Sequence, residues 1–179
     1  MAALSLVLGG CAGGARTSGM TVFVPEEPPI DEGSLLYHGI VVTQASVGED
    51  KRRSEGLKVP DEDFRRALEN SLAANALLAK EDPASFQLRA ALTLNKRSGS
   101  RFATVVAATI QYSLVNVATA EVSFDRQIEN TYTARYGDDP EGDRLRLANE
   151  GAVRENIEEF ILRLTEEVAT NPAFGVTDR

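Results

Sequence analysis

Few residues of this chain could act together as a nucleophile, a base or a set of metal ligands. The chain of 179 residues has one cysteine, Cys11, and one histidine, His38. A nucleophile needs a neighbouring base, and His38 lies in a segment whose β-branched and aromatic residues predict a strand. The sequence contains no Gly-x-Ser-x-Gly elbow, and the acidic loop 136–142 lacks the ligand spacing of an EF-hand. We therefore predict no catalytic residue, no metal site and no cofactor.

The lone cysteine ends the sequence Leu8-Gly9-Gly10-Cys11. Residues 1–10 carry no charge, and their apolar part is much shorter than the ~20 residues that cross a bilayer. The pattern resembles the lipobox of bacterial lipoproteins, in which small residues give the signal peptidase access to the backbone. The resemblance implies cleavage before Cys11, a diacylglycerol on its sulfur and an acyl chain such as palmitate on its amino group. A basic head before the apolar region is missing, so we expect the true start codon upstream.

A buried structural role is the alternative for Cys11, because free cysteine is among the most buried residue types. Glycine and alanine surround it and provide no apolar periodicity, which favours the lipid. Several acyl chains, at ~0.8 kcal/mol for each buried CH2 group, anchor a protein stably. Residue 12 is Ala12 and not the aspartate that retains lipoproteins in the inner membrane. The resemblance therefore implies anchoring in the outer membrane, with the folded part facing the periplasm.

The composition limits the partners of the chain. Its net charge is −8, whereas nucleic acid is bound by lysines and arginines that neutralise phosphates. We therefore expect no nucleic-acid partner and no wide contact with anionic lipid. A single cysteine cannot form an intrachain disulfide, so apolar burial must stabilise the exported fold.

The resemblance to the lipobox, which implies the first boundary, and the distribution of glycine and proline divide the chain into four parts. They are a signal peptide over residues 1–10, an acylated N-terminus and flexible tether over 11–34, one α+β domain over 35–171 and a C-terminal tail over 172–179. Pro25, Pro28 and Pro29 keep part of the tether extended. At ~3 Å per extended residue, the tether would hold the domain several nanometres from the membrane. The apolar run 22–24 is an exception that we expect to dock on the domain.

Hydrophobic periodicity predicts six elements in the order β-α-β-β-β-α. The strands alternate apolar and polar residues, and each helix carries an apolar stripe with a period near 3.6 residues. Proline residues end both helices, because proline disfavours helical geometry in the residue before it. The predicted elements are the strand 35–47, the helix 60–81, the strands 86–96, 102–117 and 121–133, and the helix 143–170.

These elements predict a two-layer α+β sandwich, in which two helices cover one face of a four-stranded, mostly antiparallel sheet. The other sheet face and the sheet edges stay available, and an exposed edge can accept a strand from a partner. The third strand is apolar on both faces where it begins. Ala103, Val105 and Ala107 are therefore the predicted partner-binding part of the sheet face.

The predicted layout resembles small outer-membrane lipoproteins of the LptE and YajG kind. The resemblance rests on the lipobox, on the strand pair that contains Ile110–Leu114 and Val122–Phe124, and on the closing helix through Ile157–Leu164. LptE-like proteins plug a β-barrel that delivers lipopolysaccharide, and auxiliary lipoproteins of lipid-transport ABC systems are similar in size and build. The resemblance implies a role in an envelope assembly.

Three functional hypotheses follow. The first is a non-catalytic adaptor or accessory subunit, anchored in the outer membrane through lipid on Cys11, that binds an envelope protein or a lipid. The second is a structural subunit of a trans-envelope assembly, because the sequence leaves the oligomeric state open. The third is an envelope hydrolase, which the sequence disfavours because His38 lies in a predicted strand and Cys11 is assigned to lipid.

Overall fold

The computed structural model describes residues 14–25, 30–48, 58–80, 83–138, 143–168 and 170–175. The lipobox Leu8-Gly9-Gly10-Cys11 lies outside these residues. The described elements are three helices, four strands and one 3-10 turn. In chain order they are α1 (Thr17–Met20), β1 (Ile40–Val47), α2 (Asp61–Ala74), β2 (Phe86–Gly99), β3 (Ala103–Asn116), β4 (Val122–Arg135), α3 (Arg144–Val168) and the turn Pro172–Phe174.

The four strands form one sheet in the order β1-β2-β3-β4. β1 and β2 are parallel because α2 connects them, whereas β2, β3 and β4 form an antiparallel meander. The register places Leu92, Ile110 and Ile128 side by side on neighbouring strands. The predicted α+β class and the mostly antiparallel four-stranded sheet are therefore confirmed.

The core lies between the sheet and the two long helices. α2 begins after Pro60, and three acidic residues in its first turn complement the helix dipole. Its apolar stripe from Phe64 to Leu72 is buried, as are the inward residues of β3, but the helix ends at Ala74 and not at residue 81, so the predicted stripe residue Leu78 lies beyond it. The rings of Tyr112 on β3 and Phe160 on α3 stack with their centroids 4.0 Å apart. The alternation and the helical periodicity in the sequence thus identify both packed faces correctly.

The first strand is shorter than predicted. Residues 35–38 form a turn, and β1 begins only at Ile40. His38 has a φ of 48°, which is incompatible with a strand. A Cβ atom at Gly39 would collide with the carbonyl oxygen of Leu35, so the turn requires glycine there. The prediction of a strand over 35–39 is wrong because backbone turn geometry overrides the β-branched and aromatic composition.

Both ends of the chain pack more tightly than predicted. The sequence predicts a flexible tether over 11–34 in which only the run 22–24 docks on the domain, but Ala15 and Met20 belong to the hydrophobic core together with Val22. Phe174 was assigned to the C-terminal tail, but its ring is fully buried and lies 5.5 Å, centroid to centroid, from that of Phe86. The folded domain therefore begins near Ala15 and includes the 3-10 turn, because both ends supply apolar side chains to the core.

Candidate functional site

The segment directly after the lipobox is fixed along α2, and we call residues 15–24 the N-terminal strap. The amide of Ala15 donates to the carbonyl oxygen of Lys58 at 3.0 Å, just before α2 begins. The amide of Val22 donates to Ser71 Oγ at 2.9 Å, and the amide of Val24 donates to Asn75 Oδ1 at 3.0 Å. The strap therefore runs beside α2 along the whole length of that helix.

The strap also contacts α3 through a buried carboxylate. The amide of Arg16 donates to Glu150 Oε1 at 2.8 Å, and Glu150 is 4% exposed. The guanidinium of Arg146 lies 3.1 Å from the same carboxylate, which compensates the buried charge. A Cβ atom at Gly19 would collide with Glu150. The close approach of the strap to α3 thus depends on the absence of a side chain at residue 19.

Met20 is the apolar centre of the strap. Its side chain is fully buried, and α1, which it ends, packs against both α2 and α3. The strap therefore closes the seam between the two long helices. Sequence reasoning missed Glu150, Gly19 and Met20 as parts of one site. The sequence feature that indicates the burial of this segment is the apolar pair Met20 and Val22, because the rest of the segment resembles a linker.

The position of the strap limits where Cys11 can lie. Cys11 precedes Ala15 by four residues, and four residues of extended chain span at most about 14 Å. Ala15 is held by its hydrogen bond to Lys58. The predicted standoff of several nanometres therefore does not apply, because only the residues up to Gly14 can separate Cys11 from the folded domain.

A shallow groove of about 580 Å³ lies between the strap and α2. None of its lining residues is charged, and the aromatic ring of Phe23 at its rim is 66% exposed. The lining residues are Thr17, Ser18, Thr21, Val22, Phe23, Asn70 and Ala74. The groove offers hydroxyl groups, one amide and one aromatic ring.

The predicted partner-binding residues lie on the sheet face opposite the helices. Ala103 and Val105 are half-buried there, and Ala107 is fully buried beneath neighbouring side chains. The surrounding face is polar: Thr109 donates to Glu129 at 3.2 Å, and Gln111 donates to Asp125. The three residues therefore form no exposed apolar patch. The open face presents hydroxyl, amide and carboxylate groups.

His38 contacts backbone groups of the segment after α2. Its Nδ1 atom is 3.1 Å from the carbonyl oxygen of Leu78, and its backbone amide donates to the carbonyl oxygen of Ala76. Within the described ranges, no group of three or more His, Cys, Asp or Glu side chains is arranged to hold a metal ion. The contacts of His38 connect the turn before β1 to the segment after α2.

Over the part of the chain that the structure describes, no helix combines the length and the apolar character needed to cross a membrane.

Burial changes the pKa of two groups. It raises the pKa of Tyr112 well above the usual value, so the phenol stays protonated and donates to Asn156 Oδ1 at 3.1 Å. Partial burial also raises the pKa of Glu155 on α3; repulsion from Glu158 adds to the increase, and attraction to Arg154 opposes it. Burial is the largest cause of both shifts.

The architecture and the strap together define a two-layer α+β sandwich whose N-terminal segment closes the helical layer. Solved structures share this fold. Protein CT253 of Chlamydia trachomatis is 12% identical, with a TM-score of 0.54 over 74% of this chain and 99% of that chain. A DUF330 protein from Xanthomonas campestris is 11% identical, with a TM-score of 0.52 over 73% of this chain and 86% of that chain.

A minor lipoprotein from Acinetobacter baumannii is 10% identical, with a TM-score of 0.48 over 73% of this chain and 92% of that chain. No protein-family model and no curated protein matches the sequence. At these identities the likeness shows the fold alone. The resemblance to LptE and YajG stays a prediction from the sequence.

Proposed function

We propose that the protein is a non-catalytic lipoprotein of the bacterial envelope, anchored through Cys11 in the outer membrane and facing the periplasm. One observation carries the proposal: Leu8-Gly9-Gly10-Cys11 ends four residues before the first buried residue of the domain, Ala15. An acylated cysteine at this place fixes the domain directly on the membrane. Several acyl chains on one residue make such an anchor stable.

The proposed task is that of an adaptor that binds an envelope protein or a lipid-transport assembly. The open sheet face supports it, because this face carries polar side chains that can pair with a partner, among them Gln111 and Asp125. One sheet edge supports it as well. β4 pairs on one side only within the described sheet, and a free edge can accept a strand from a partner. The outer edge of β1 is partly occupied, because Ile40 bonds to Leu77 and Ala79 and the side chain of Arg65 donates to the carbonyl oxygens of Val42 and Thr43.

Two measurements in the native host test the anchor. Mass spectrometry of the purified protein is expected to find an N-terminal, acylated Cys11, and fractionation is expected to place the protein in the outer membrane. The Cys11→Ser variant is the control and should appear in the soluble periplasmic fraction. A native protein with residues 1–10 still present and a free thiol at Cys11 would overturn the proposed anchor.

Site-specific photo-crosslinking tests the adaptor role. A photoreactive residue at Gln111, exposed on the open sheet face, is expected to capture a defined envelope protein in intact cells. The same residue at Arg66, which is paired with Glu62 on the exposed side of α2, is the control and should not capture that protein. Equal capture from both positions, or none from Gln111, contradicts an adaptor that binds through the sheet.

The second candidate is a structural subunit of a trans-envelope assembly. The 14 residues of β4 form a long edge strand that pairs on one side only within the described sheet. Another copy of the chain can bind at this edge, and repeated contacts between copies can close a ring. Size-exclusion chromatography with light scattering distinguishes the candidates, because a stable ring supports the structural subunit and a monomer supports the adaptor.

A further inference from the structure

We infer that one end of the sandwich, formed by the turns after β2 and β4, rests on the lipid surface and inserts two aromatic side chains at the headgroup level. This inference deepens the proposed function and rests on its lipid anchor. We call residues 100–102 and 135–138 the tip. Phe102 is 62% exposed and Tyr136 is 80% exposed, whereas most other aromatic side chains of the described residues are buried or half-buried.

The two aromatic residues are neighbours in space. The amide of Tyr136 donates to the carbonyl oxygen of Phe102 at 2.8 Å, so adjacent backbone positions carry both rings. The guanidinium of Arg101 lies 5.0 Å from the centre of the Phe102 ring. Exposed aromatic rings are costly in water, and tyrosine with phenylalanine beside arginine suits the boundary between acyl chains and phosphate groups.

The strap begins toward the same end of the molecule, so Cys11 can reach the tip. The amide of Arg16 donates to Glu150 on α3. Glu150 lies six residues after Arg144, the first residue of α3, which corresponds to about 9 Å along the helix axis. The side chain of Arg144 donates to the carbonyl oxygen of Arg101 at 2.8 Å, so α3 begins at the tip. The chain between Ala15 and Cys11 spans at most about 14 Å, which is enough to bring the acylated residue level with the tip.

The charge around the tip permits this contact. The described residues in and beside the tip include three basic side chains, Arg101, Arg135 and Arg144, and two acidic ones, Asp138 and Asp143, whereas the whole chain has a net charge of −8. Phosphate groups therefore do not repel the tip as they repel the rest of the surface. Two exposed rings bind a membrane weakly alone, but the anchor raises their effective concentration at the surface and makes a weak contact persistent.

Phe23 provides a matched internal control, because it is equally exposed but lies at the other end of the strap. Thr17 bonds to Asp63 in the first turn of α2, whereas Val24 bonds to Asn75 directly after the helix. These two positions on α2 are separated by 12 residues, or about 18 Å. A residue at position 23 is therefore expected to stay away from a bilayer that the tip touches.

Fluorescence of single tryptophans tests the inference, since the natural chain contains no tryptophan. The full chain with Phe102→Trp, Tyr136→Trp or Phe23→Trp is coupled through Cys11, its only cysteine, to a maleimide phospholipid. The vesicles contain phosphatidylethanolamine and phosphatidylglycerol, with or without brominated acyl chains. Circular dichroism and thermal unfolding check that each variant folds like the natural chain.

We expect brominated lipid to quench the tryptophan at 102 or 136 by about half or more, with a blue shift, since both would lie in the interfacial layer. The tryptophan at 23 should change little. Equal quenching at 23, or no quenching at 102 and 136 in folded, coupled protein, would overturn the inference. The coupling is chemical, so this result is independent of whether cells acylate Cys11. A free thiol in the native protein would instead overturn the proposed anchor.

Discussion

Asn156 is the polar residue on which the contact between α3 and the sheet depends. Its side chain is fully buried. Its Nδ2 group donates to the carbonyl oxygens of Ala108 at 3.0 Å and Ile128 at 2.8 Å, and its Oδ1 atom accepts from the Tyr112 hydroxyl at 3.1 Å. Buried polar groups are tolerated where such partners exist. One side chain therefore connects α3 to β3 and β4 together.

Replacing Asn156 should strongly destabilise the fold. Asn156→Ala leaves the buried hydroxyl of Tyr112 without its acceptor and opens a small cavity, which together cost about 2–4 kcal/mol. Urea unfolding followed by circular dichroism measures the change. Tyr112→Phe removes only one bond of the network and is the control, expected to cost about 1–2 kcal/mol. Equal costs for the two variants would contradict the proposed importance of the amide.

Glu155 predicts a pH dependence of stability. Partial burial, with a contribution from Glu158, raises the pKa of Glu155 in the folded state, so the folded state binds its proton more tightly than the unfolded state does. Stability therefore falls as the pH rises through the pKa values of the two states. Glu155→Gln should raise the melting temperature slightly at pH 7, because the side chain is half-exposed and the effect is screened.

The gain from Glu155→Gln should disappear at a pH below both pKa values, where the natural carboxyl group is also neutral. Melting curves of the two proteins across that range measure it. Glu166→Gln on the exposed side of the same helix is the control for removing one charge from an acidic chain. A gain that is constant with pH, or matched by the control, would show that Glu155 is not the cause.

At the scale of elements, hydrophobic periodicity predicted the buried faces of the strands and the long helices. The strands and the two long helices carry their apolar residues at regular spacing, so their buried faces could be read from β3 and α2 directly. The strap could not be predicted in this way. Its position depends on hydrogen bonds to residues far away in the chain, such as Ser71, Asn75 and Glu150. A short segment of glycine, serine and threonine gives no periodic signal for such contacts.

The packing of the strap predicts that adding one methyl group at residue 19 destabilises the fold. In Gly19→Ala the new Cβ atom collides with the buried Glu150, which also binds the amide of Arg16. We expect a loss of about 1–3 kcal/mol. We also expect faster hydrogen exchange at the amides of Val22 and Val24, which are bonded to α2. Hydrogen-exchange mass spectrometry compares the strap with the sheet.

Ser18→Ala is the matched control for Gly19→Ala, because Ser18 lies in the same turn of α1 and its side chain is exposed. It should leave exchange in the strap unchanged. If Gly19→Ala accelerated exchange across the whole domain and not first in the strap, the strap would be part of one cooperative unit. The prediction of local opening would then be wrong.

At the scale of the whole molecule, the sequence alone identified the lipobox but not its relation to the domain. The composition of residues 11–34 predicted a long tether, and that prediction placed the domain far from the membrane. The contacts of Ala15 and Arg16 with Lys58 and Glu150 shorten this distance. These contacts also determine which end of the sheet lies near the anchor, because the strap has a fixed direction along α2.

An anchored molecule that rests on its tip should therefore stand upright. The three longest strands have 14 residues each, or about 46 Å at 3.3 Å per residue, and they run from the tip to the opposite end. Neutron reflectometry of the chain coupled through Cys11 to a supported bilayer should find a protein layer about 45 Å thick in contact with the headgroups. A molecule lying on its open sheet face would give a layer of about 20 Å, since it consists of one sheet and one layer of helices, each about 10 Å thick.

A linker variant separates the roles of the strap and the tip. A flexible insertion of about 20 Gly and Ser residues between Gly13 and Gly14 reaches about 25 Å on average, yet the tip should still hold the protein layer against the headgroups. Adding Phe102→Ser and Tyr136→Ser to the linker variant should open a water-filled gap between bilayer and protein. A gap in the linker variant with both aromatic residues intact would show that only the short connection keeps the domain near the membrane. A layer of about 20 Å in the natural chain would show that the molecule does not stand upright on its tip.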